Sequence, residues 1–437
     1  MGSYIPSTPA SRQQMLNAIG MQHAEELFAD IPNEMLAGEL AIPPGKSELE
    51  VRRILQGMEA QNTVFPTIFR GAGAYRHYIP SIVKQVASKE TFVTAYTPYQ
   101  AEVSQGTLQM IFEYQTEICE LTGMDVANAS VYDGASAAAE ATIMCRERAR
   151  QTVLVAATAH SDTIDTIQTY SDSAGAPVVP IAAENGVINM QALKEALGPE
   201  VACLYLQSPN YFGQLEDAKA AAELCHAAGV KLIYGCNPIA LGLLQTPAEA
   251  GADIAVGEGQ PLGMPLSFGG PYLGFMASTK AMMRRLPGRI AGETTDADGK
   301  RCYVLTLQAR EQHIRREKAL SSVCTNQALC ALTATVYLAA LGPAGLQQVA
   351  SQCYSKAHYM AAELEKAGFA RRYKGEFFHE FVTECPVEPQ KLLTALEAKG
   401  ILGGLAVEGG ILWCCTELNT KEEIDTVVQI CKREAQA

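Results

Sequence analysis

Residues 203–234, CLYLQSPNYFGQLEDAKAAAELCHAAGVKLIY, decide the fold. The pattern predicts a buried strand at 203–206, a helix from about 217 to 228, and a second strand at 231–234. Because a helix connects the two strands, we expect them to lie parallel in one sheet. The stretch therefore predicts a β-α-β unit of an α/β protein.

The same alternation extends towards the N-terminus. Apolar runs at residues 153–155 and 177–181 precede helical stretches that begin near Ser161 and Met190. Strands that alternate with helices of about 10–15 residues are typical of a mostly parallel sheet. We therefore predict an α/β architecture for the middle of the chain.

Helical segments precede this α/β part. Ser11 is expected to cap a helix that runs to Ile19, and Ser47 with Glu50 forms a capping-box pattern. These features predict an N-terminal helical arm over residues 1–65.

A mixed segment closes the chain. Gly342-Pro343 is expected to end a long apolar helix that starts near residue 325. Further helices are predicted at 347–367, at 389–399 and from about Thr420, with short strands at 376–381 and 410–413. We predict a large α/β domain over residues 66–330 and a small α+β domain over 331–437.

Composition narrows the class of protein. The 437 residues include 34 Lys and Arg against 47 Asp and Glu, a net charge of −13, and 48% are hydrophobic, which excludes wholesale disorder. The acidic balance, without a dense basic run, argues against nucleic acid or an anionic membrane as the main partner. No signal-peptide pattern or membrane span is predicted, and residues 328–341 are interpreted as a buried helix.

The cysteines and histidines indicate the compartment and argue against a metal. The 13 cysteines lack C-x-x-C spacing, and the seven histidines show neither H-E-x-x-H nor paired Cys/His spacing. We therefore expect reduced thiols in a cytoplasmic protein that has no metal site.

Two features predict a binding crevice at the ends of the parallel strands. The small residues Gly134, Ala135 and Ser136 start a helix, where free N–H groups and the helix dipole favour an anion, although packing explains many such helix starts. His160 follows a strand closely and is placed either to stack on a flat ring or to bond locally. The segment contains neither a P-loop nor a G-x-G-x-x-G fingerprint.

Three loop segments combine glycine, aromatic and polar residues. Two of them, residues 66–78 and 95–106, suit a binding surface, with structural packing as the alternative. The third, residues 265–274, is a glycine-rich turn that permits close approach by another chain or a ligand, with a plain tight turn as the alternative. The candidate surface residues are Tyr96, Tyr99, Gln100, Glu102 and Ser104, with Arg70 and His77 as weaker candidates.

Taken together and in order, these segments resemble the P-protein family of the glycine cleavage system, in its two-subunit form the first subunit (alpha). The resemblance covers essentially the whole chain. The segments that carry it are Tyr4-Ile5-Pro6-Ser7-Thr8, the stretch around Gly71, residues 96–106, Gly257-Glu258-Gly259-Gln260 and Gly269-Gly270-Pro271. It implies the aspartate-aminotransferase-like fold (fold type I) of pyridoxal-phosphate (PLP) enzymes, with a seven-stranded sheet and a small C-terminal domain.

The resemblance also reveals what this chain lacks. PLP enzymes hold the cofactor on a lysine and usually set an acid against its pyridine nitrogen. The lysine is expected near Pro261, where the sequence has none, and Gly235-Cys236-Asn237 offers no acid after the strand at 231–234. Lys280 lies further on and is interpreted as a surface residue. We therefore expect PLP on the partner subunit, and a degenerate pocket at Gly134, Ala135, Ser136 and His160.

By this resemblance, the activity is that of glycine dehydrogenase (aminomethyl-transferring), which decarboxylates glycine and passes the aminomethyl group to the lipoyl arm of the H-protein. The implied partners are subunit 2 (beta), with which a heterotetramer is expected, and the lipoylated H-protein. The candidate surface residues would line the active site from this side of the subunit interface.

Two alternatives stay open. A self-sufficient PLP enzyme of the same fold, such as an aminotransferase or a desulfurase, requires a lysine that the sequence does not place. A non-catalytic scaffold would retain the pocket for structure alone. A dinucleotide-dependent dehydrogenase is poorly supported, because the fingerprint glycines are absent.

Overall fold

The computed structural model describes residues 7–38, 41–321 and 323–436. The chain divides into two compact units, Met1–Val64 and Phe65–Ala437. Of the opening motif, Tyr4, Ile5 and Pro6 lie outside the described residues.

The first unit contains helices α1 (Pro9–Ala18) and α2 (Glu48–Glu59). Thr8, rather than Ser11, caps α1, because its hydroxyl accepts a hydrogen bond from the Ser11 N–H at 3.1 Å. The prediction of Ser11 as the cap is therefore wrong. The capping box of α2 is confirmed: the Ser47 N–H donates to Glu50 at 2.8 Å, and the Glu50 N–H donates to the Ser47 hydroxyl.

The second unit holds the remaining helices and all the described strands. The helices are α3 (Ser81–Ala87), α4 (Glu90–Val93), α5 (Gln105–Thr122), α6 (Gly134–Cys145), α7 (Ser161–Ser173), α8 (Met190–Ala196), α9 (Ala218–Ala227), α10 (Gln312–Arg315), α11 (Ala328–Lys366), α12 (Pro389–Glu397) and α13 (Lys421–Gln436). The strands are β1 (Thr67–Ile68), β2 (Val126–Ala127), β3 (Thr152–Ala156), β4 (Val178–Ile181), β5 (Ala183–Glu184), β6 (Val187–Ile188), β7 (Val201–Gln207), β8 (Lys231–Gly235), β9 (Ile254–Glu258), β10 (Gly274–Ser278), β11 (Ile290–Thr295), β12 (Arg301–Thr306), β13 (Glu380–Thr383), β14 (Ile401–Leu402), β15 (Leu405–Val407) and β16 (Gly410–Cys414).

A seven-stranded sheet organises this unit, in the order β2-β10-β9-β8-β7-β3-β4. Strands β9, β8, β7, β3 and β4 are parallel, while β10 runs antiparallel to both β9 and β2. The predicted α/β class with a mostly parallel sheet is confirmed.

Side chains alternate between the two faces of the sheet. Leu204 and Leu206 of β7 join one apolar core, whereas Cys203 and Tyr205 join the core on the opposite face. Because both faces are covered, β7 carries apolar residues in nearly every position. The sheet is thus a rigid base for the loops at its strand ends.

The C-terminal residues form a separate layer with its own core. The antiparallel sheet β13-β16-β15 packs with α12 and α13 around the fully buried Trp413. The predicted strand at 376–381 is shifted, because ladder pairing with β16 begins only at Glu380.

Helix α11 links the two cores. Its backbone leaves helical geometry at Gly342, which has a φ of 60°, so the predicted end of a helix at Gly342-Pro343 appears as a break within α11. Tyr337 lies in a core of the central sheet and Met360 in the C-terminal core. By length and composition α11 is apolar enough to cross a membrane, a test that core helices also pass.

Candidate functional site

A crevice of about 470 Å³ opens at the carboxyl ends of the parallel strands. Gly235 ends β8 and Glu258 ends β9, while Gly134 starts α6 on the wall beside them. The C-terminal layer contributes His379 and Glu380. This is the position where open parallel sheets bind ligands.

Two carboxylates of the chain itself occupy the start of α6. Asp133 caps the helix, because its Oδ1 accepts the Ser136 N–H at 2.7 Å. Glu258 Oε2 accepts the Gly134 N–H at 3.0 Å, and Glu258 Oε1 accepts the N–H groups of Gln260 and Leu273 at 2.9 and 3.0 Å. Burial raises the pKa of Glu258 to about 7, although these backbone bonds oppose the shift. Two of the donors that the sequence suggested for an external anion, the N–H groups of Gly134 and Ser136, are therefore engaged internally.

Of the two roles that the sequence left open for His160, local bonding is observed, and stacking on a flat ring stays a prediction. It lines the crevice, and it also caps α7, since its Nδ1 accepts the Asp162 N–H at 3.2 Å. Its Nε2 donates to the Ala72 carbonyl oxygen at 2.9 Å. The ring lies edge-on to Tyr211, with 5.1 Å between centroids.

No lysine or arginine is among the lining residues of the crevice within the part of the chain that the structure describes. Pro261 lines the crevice where the resemblance places the lysine. Lys280 is exposed, as predicted, in a turn after β10. The Asn237 Oδ1 after β8 accepts the Ile239 N–H at 2.9 Å and so supports its own loop.

Glu380 and Gln260 hold the 72–75 segment against the crevice. Glu380 accepts the Ala72 N–H at 2.6 Å and the Tyr75 hydroxyl at 2.7 Å, and burial raises the pKa of Glu380 to about 7. The Gln260 side chain accepts the Tyr75 N–H at 2.8 Å and donates to the Tyr75 carbonyl oxygen at 2.9 Å. Sequence alone does not reveal the roles of Glu380 and Glu258, because neither lies in a local pattern that indicates its partner.

Arg70 and His77 contact the C-terminal residues and do not line the crevice. The Arg70 guanidinium donates to the carbonyl oxygens of Gly403 and Gly404. His77 forms a buried ion pair with Glu417, at 2.7 Å between Nδ1 and Oε2. Cys353 lies beside this pair, and the three ligand atoms fall within 4.8 Å of one another. The contacts of His77 and Cys353 with the Glu417 carboxylate account for that proximity.

The remaining candidate residues form a loop away from the crevice. The Tyr96 side chain is 82% exposed, and Gln100 and Glu102 are exposed as well. The Tyr99 hydroxyl accepts a hydrogen bond from Arg289 at 3.0 Å, and Ser104 precedes α5. Of the predicted pocket residues, Gly134, Ala135 and His160 line the crevice, whereas Ser136 does not.

This architecture defines the PLP-dependent transferase fold. The structure aligns with an alanine–glyoxylate aminotransferase from Nostoc at a TM-score of 0.59 and 18% identity, covering 93% of this chain and 99% of that one. It aligns with a sphingosine-1-phosphate lyase from Burkholderia pseudomallei at a TM-score of 0.67 and 16% identity, covering 92% and 93%. At these identities the likeness establishes the fold alone.

The chain belongs to the glycine cleavage system P-protein family, which it matches over residues 2–431. It is 49% identical to the probable glycine dehydrogenase (decarboxylating) subunit 1 of Desulfitobacterium hafniense over 438 residues, and 49% identical to that of Moorella thermoacetica over 436. Each alignment covers 98% of both chains. A crystal structure of glycine decarboxylase (P-protein) in inhibitor-bound form aligns at a TM-score of 0.93 and 40% identity, covering 99% of this chain and 100% of that one.

PLP is the cofactor that this fold serves, and it takes part in glycine decarboxylation by this family. Binding it requires a lysine, and a helix start with free N–H groups suits its phosphate. Here the side chains of Asp133 and Glu258 accept hydrogen bonds from two N–H groups of the helix start, and Pro261 stands where the lysine is expected. The residues of this crevice do not fit the cofactor.

The close contact at the start of α6 is testable. We expect Gly134→Ala to lower the free energy of unfolding by about 1–3 kcal/mol, because a Cβ there would lie 2.8 Å from the Glu258 backbone nitrogen. Gly106→Ala, in the first turn of α5, meets no atom within 4 Å and should stay within about 1 kcal/mol of wild type. Urea denaturation followed by circular dichroism measures both. Equal stability of the two variants would contradict the contact.

The buried Glu380 carboxyl makes stability depend on pH. Because its pKa is raised from 4.5 to about 7 in the fold, the folded state binds its proton more tightly, and stability falls as pH rises from about 4.5 to 7. Glu380→Gln keeps an acceptor for Ala72 and removes the charge. We expect the free energy of unfolding of Glu380→Gln minus that of wild type to be about 2 kcal/mol larger at pH 8 than at pH 5. A difference that is constant between pH 5 and pH 8 would refute this assignment.

Proposed function

We propose that this chain is the subunit of glycine dehydrogenase (decarboxylating) that does not carry PLP, and that it acts with a PLP-bearing second subunit. The observation that supports this most directly is a full-length match to relatives named subunit 1, combined with a crevice whose own carboxylates occupy the cofactor's place. We expect a related subunit without the cofactor to act in one complex with the subunit that retains it.

The reaction of the complete enzyme follows from the family. Glycine loses its carboxylate as CO2, and the aminomethyl group passes to the lipoyl arm of the H-protein, whose disulfide is reduced. The PLP on the partner subunit supplies the electron sink for decarboxylation. This chain contributes protein surface around that site.

The loop of Tyr96, Tyr99, Gln100, Glu102 and Ser104 is the proposed contribution to the active site at the subunit interface. Tyr96 is 82% exposed and Val103 80% exposed, although aromatic and apolar side chains usually lose water on folding. Exposed aromatic residues with polar neighbours are typical of surfaces that become buried on association. The expected assembly is a heterotetramer with two copies of each subunit.

We place the protein in the cytoplasm. All 13 cysteines are free, and nine of them are buried. Reduced thiols in such number suit a reducing compartment.

Reconstitution tests the proposed function. Each subunit alone and both together are assayed for exchange of labelled bicarbonate into the glycine carboxylate, with PLP supplied. We expect exchange only from the pair, and borohydride reduction should attach the cofactor to the partner and not to this chain. Exchange by this chain alone, or a reduced cofactor on one of its lysines, would favour the self-sufficient PLP enzyme.

Alanine substitution tests whether the loop lines the active site or is only a scaffold. In the reconstituted complex, we expect Tyr96→Ala and Glu102→Ala each to lower the exchange rate by about tenfold or more, because each removes a positioned group from a closed site. Phe28→Ala is the matched control, since Phe28 is also an exposed aromatic residue, at 52%, but lies outside all three loop segments. Unchanged exchange in complexes that still assemble would make the loop a scaffold.

A further inference from the structure

Arg289 is a buried cation outside the crevice. It directly precedes β11, and only 5% of the residue is exposed. Its Nη2 donates to the Tyr99 hydroxyl at 3.0 Å, and its Nη1 donates to Asn326 Oδ1 at 3.3 Å. Its Nε has no hydrogen-bond partner among the described residues.

The charge of Arg289 is not compensated by a direct ion pair. Among residues 7–38, 41–321 and 323–436, no carboxylate lies within 4.0 Å of its guanidinium, and both of its hydrogen-bond acceptors are neutral. An unpaired buried charge costs free energy, so buried charges in proteins are normally paired with an opposite charge or a ligand. Two of its five N–H groups are used, which leaves three for that partner.

The surroundings of Arg289 have an excess of positive charge. The half-buried Arg310 also has two guanidinium nitrogens without partners among the described residues. Glu311 Oε2 lies 3.6 Å from His313 Nδ1. Burial raises the pKa of the Glu311 carboxyl group, while Arg310, His313 and Arg289 all act to lower it. More basic side chains than this one acid therefore act here, in a chain whose net charge is −13. Such a local reversal of charge favours an anion.

We propose that Arg289, held in its plane by Tyr99 and Asn326, binds a carboxylate supplied from outside this chain. A planar guanidinium matches a carboxylate with two parallel hydrogen bonds, which an ammonium group does not. Tyr99 is 48% exposed and its ring lies 5.1 Å from the guanidinium carbon, so Arg289 lies one side chain below the surface.

The inference rests on the proposed function, because Tyr99 belongs to the loop assigned to the subunit interface. Two carboxylates reach such a surface: that of the substrate glycine, and that of an acidic side chain of the partner subunit. Both present the same chemistry to Arg289, and the experiment distinguishes them.

The test uses the reconstituted complex with Arg289→Gln, Arg289→Lys and the control Arg301→Gln. Arg301 also lies over a tyrosine ring, at 5.7 Å from Tyr303, but its side chain is 63% exposed. For each variant, the KM and kcat for glycine are measured by bicarbonate exchange, the Kd of the subunit pair by calorimetry, and the melting temperature of the free chain.

We expect Arg289→Gln to raise one constant by about tenfold or more, the loss typical of a charge-assisted hydrogen-bond pair. A raised KM with an unchanged Kd identifies the substrate carboxylate, and a raised Kd with an unchanged KM identifies the partner's acid. Arg289→Lys should restore little of the lost affinity, because lysine keeps the positive charge but cannot donate two parallel hydrogen bonds to a carboxylate. Arg301→Gln should change neither constant.

Two results would overturn the proposal. One is an Arg289→Gln or Arg289→Lys variant that melts like wild type and changes neither constant by more than about twofold. The other is loss of cooperative melting in both variants, which would make Arg289 a structural residue. If the wild-type pair shows no exchange, the proposed function fails, while the Kd measurement still tests Arg289.

Discussion

The hydrogen bond from the Gly134 N–H to the Glu258 carboxylate joins the start of α6 to the end of β9 and determines the chemistry of the crevice. The same carboxylate receives two further backbone N–H groups, so it is held in place from three sides. Glycine is needed at position 134 because the helix approaches β9 so closely. With Asp133 on the same helix end, the bond replaces an external anion by internal charge.

Two regions of the chain therefore have different tasks. Residues of the crevice bond to one another, since Glu380 and Gln260 accept hydrogen bonds from the backbone of the 72–75 segment. The loop around Tyr96 and Tyr99 lies elsewhere and exposes aromatic surface. The rigid sheet holds both regions. Under the proposed function, the loop meets the partner subunit, and the crevice is stabilised by the hydrogen bonds of its own residues.

Much of the fold is readable from local sequence, because strand alternation and helix caps depend on neighbouring residues. The apolar β7 with its helical crossover predicted the parallel sheet, and the Ser47–Glu50 pair predicted the start of α2. The site was less accessible: Glu258 meets Gly134 across 124 positions, and Arg289 meets Tyr99 across 190. No local pattern encodes such pairings. The absence of a lysine near Pro261 was visible only through resemblance to a family.

The carboxylate at the start of α6 also has an evolutionary consequence. If the proposed function is correct, the chain could hold the cofactor itself only with a lysine near position 261, an acid after β8 and the removal of Glu258. A lysine gained first would have no phosphate site beside it, because Glu258 still occupies the start of α6. Removal of Glu258 without a lysine would leave no side chain to bind the cofactor covalently. Because none of these substitutions confers an advantage alone, selection cannot reverse the specialisation of the subunit one substitution at a time.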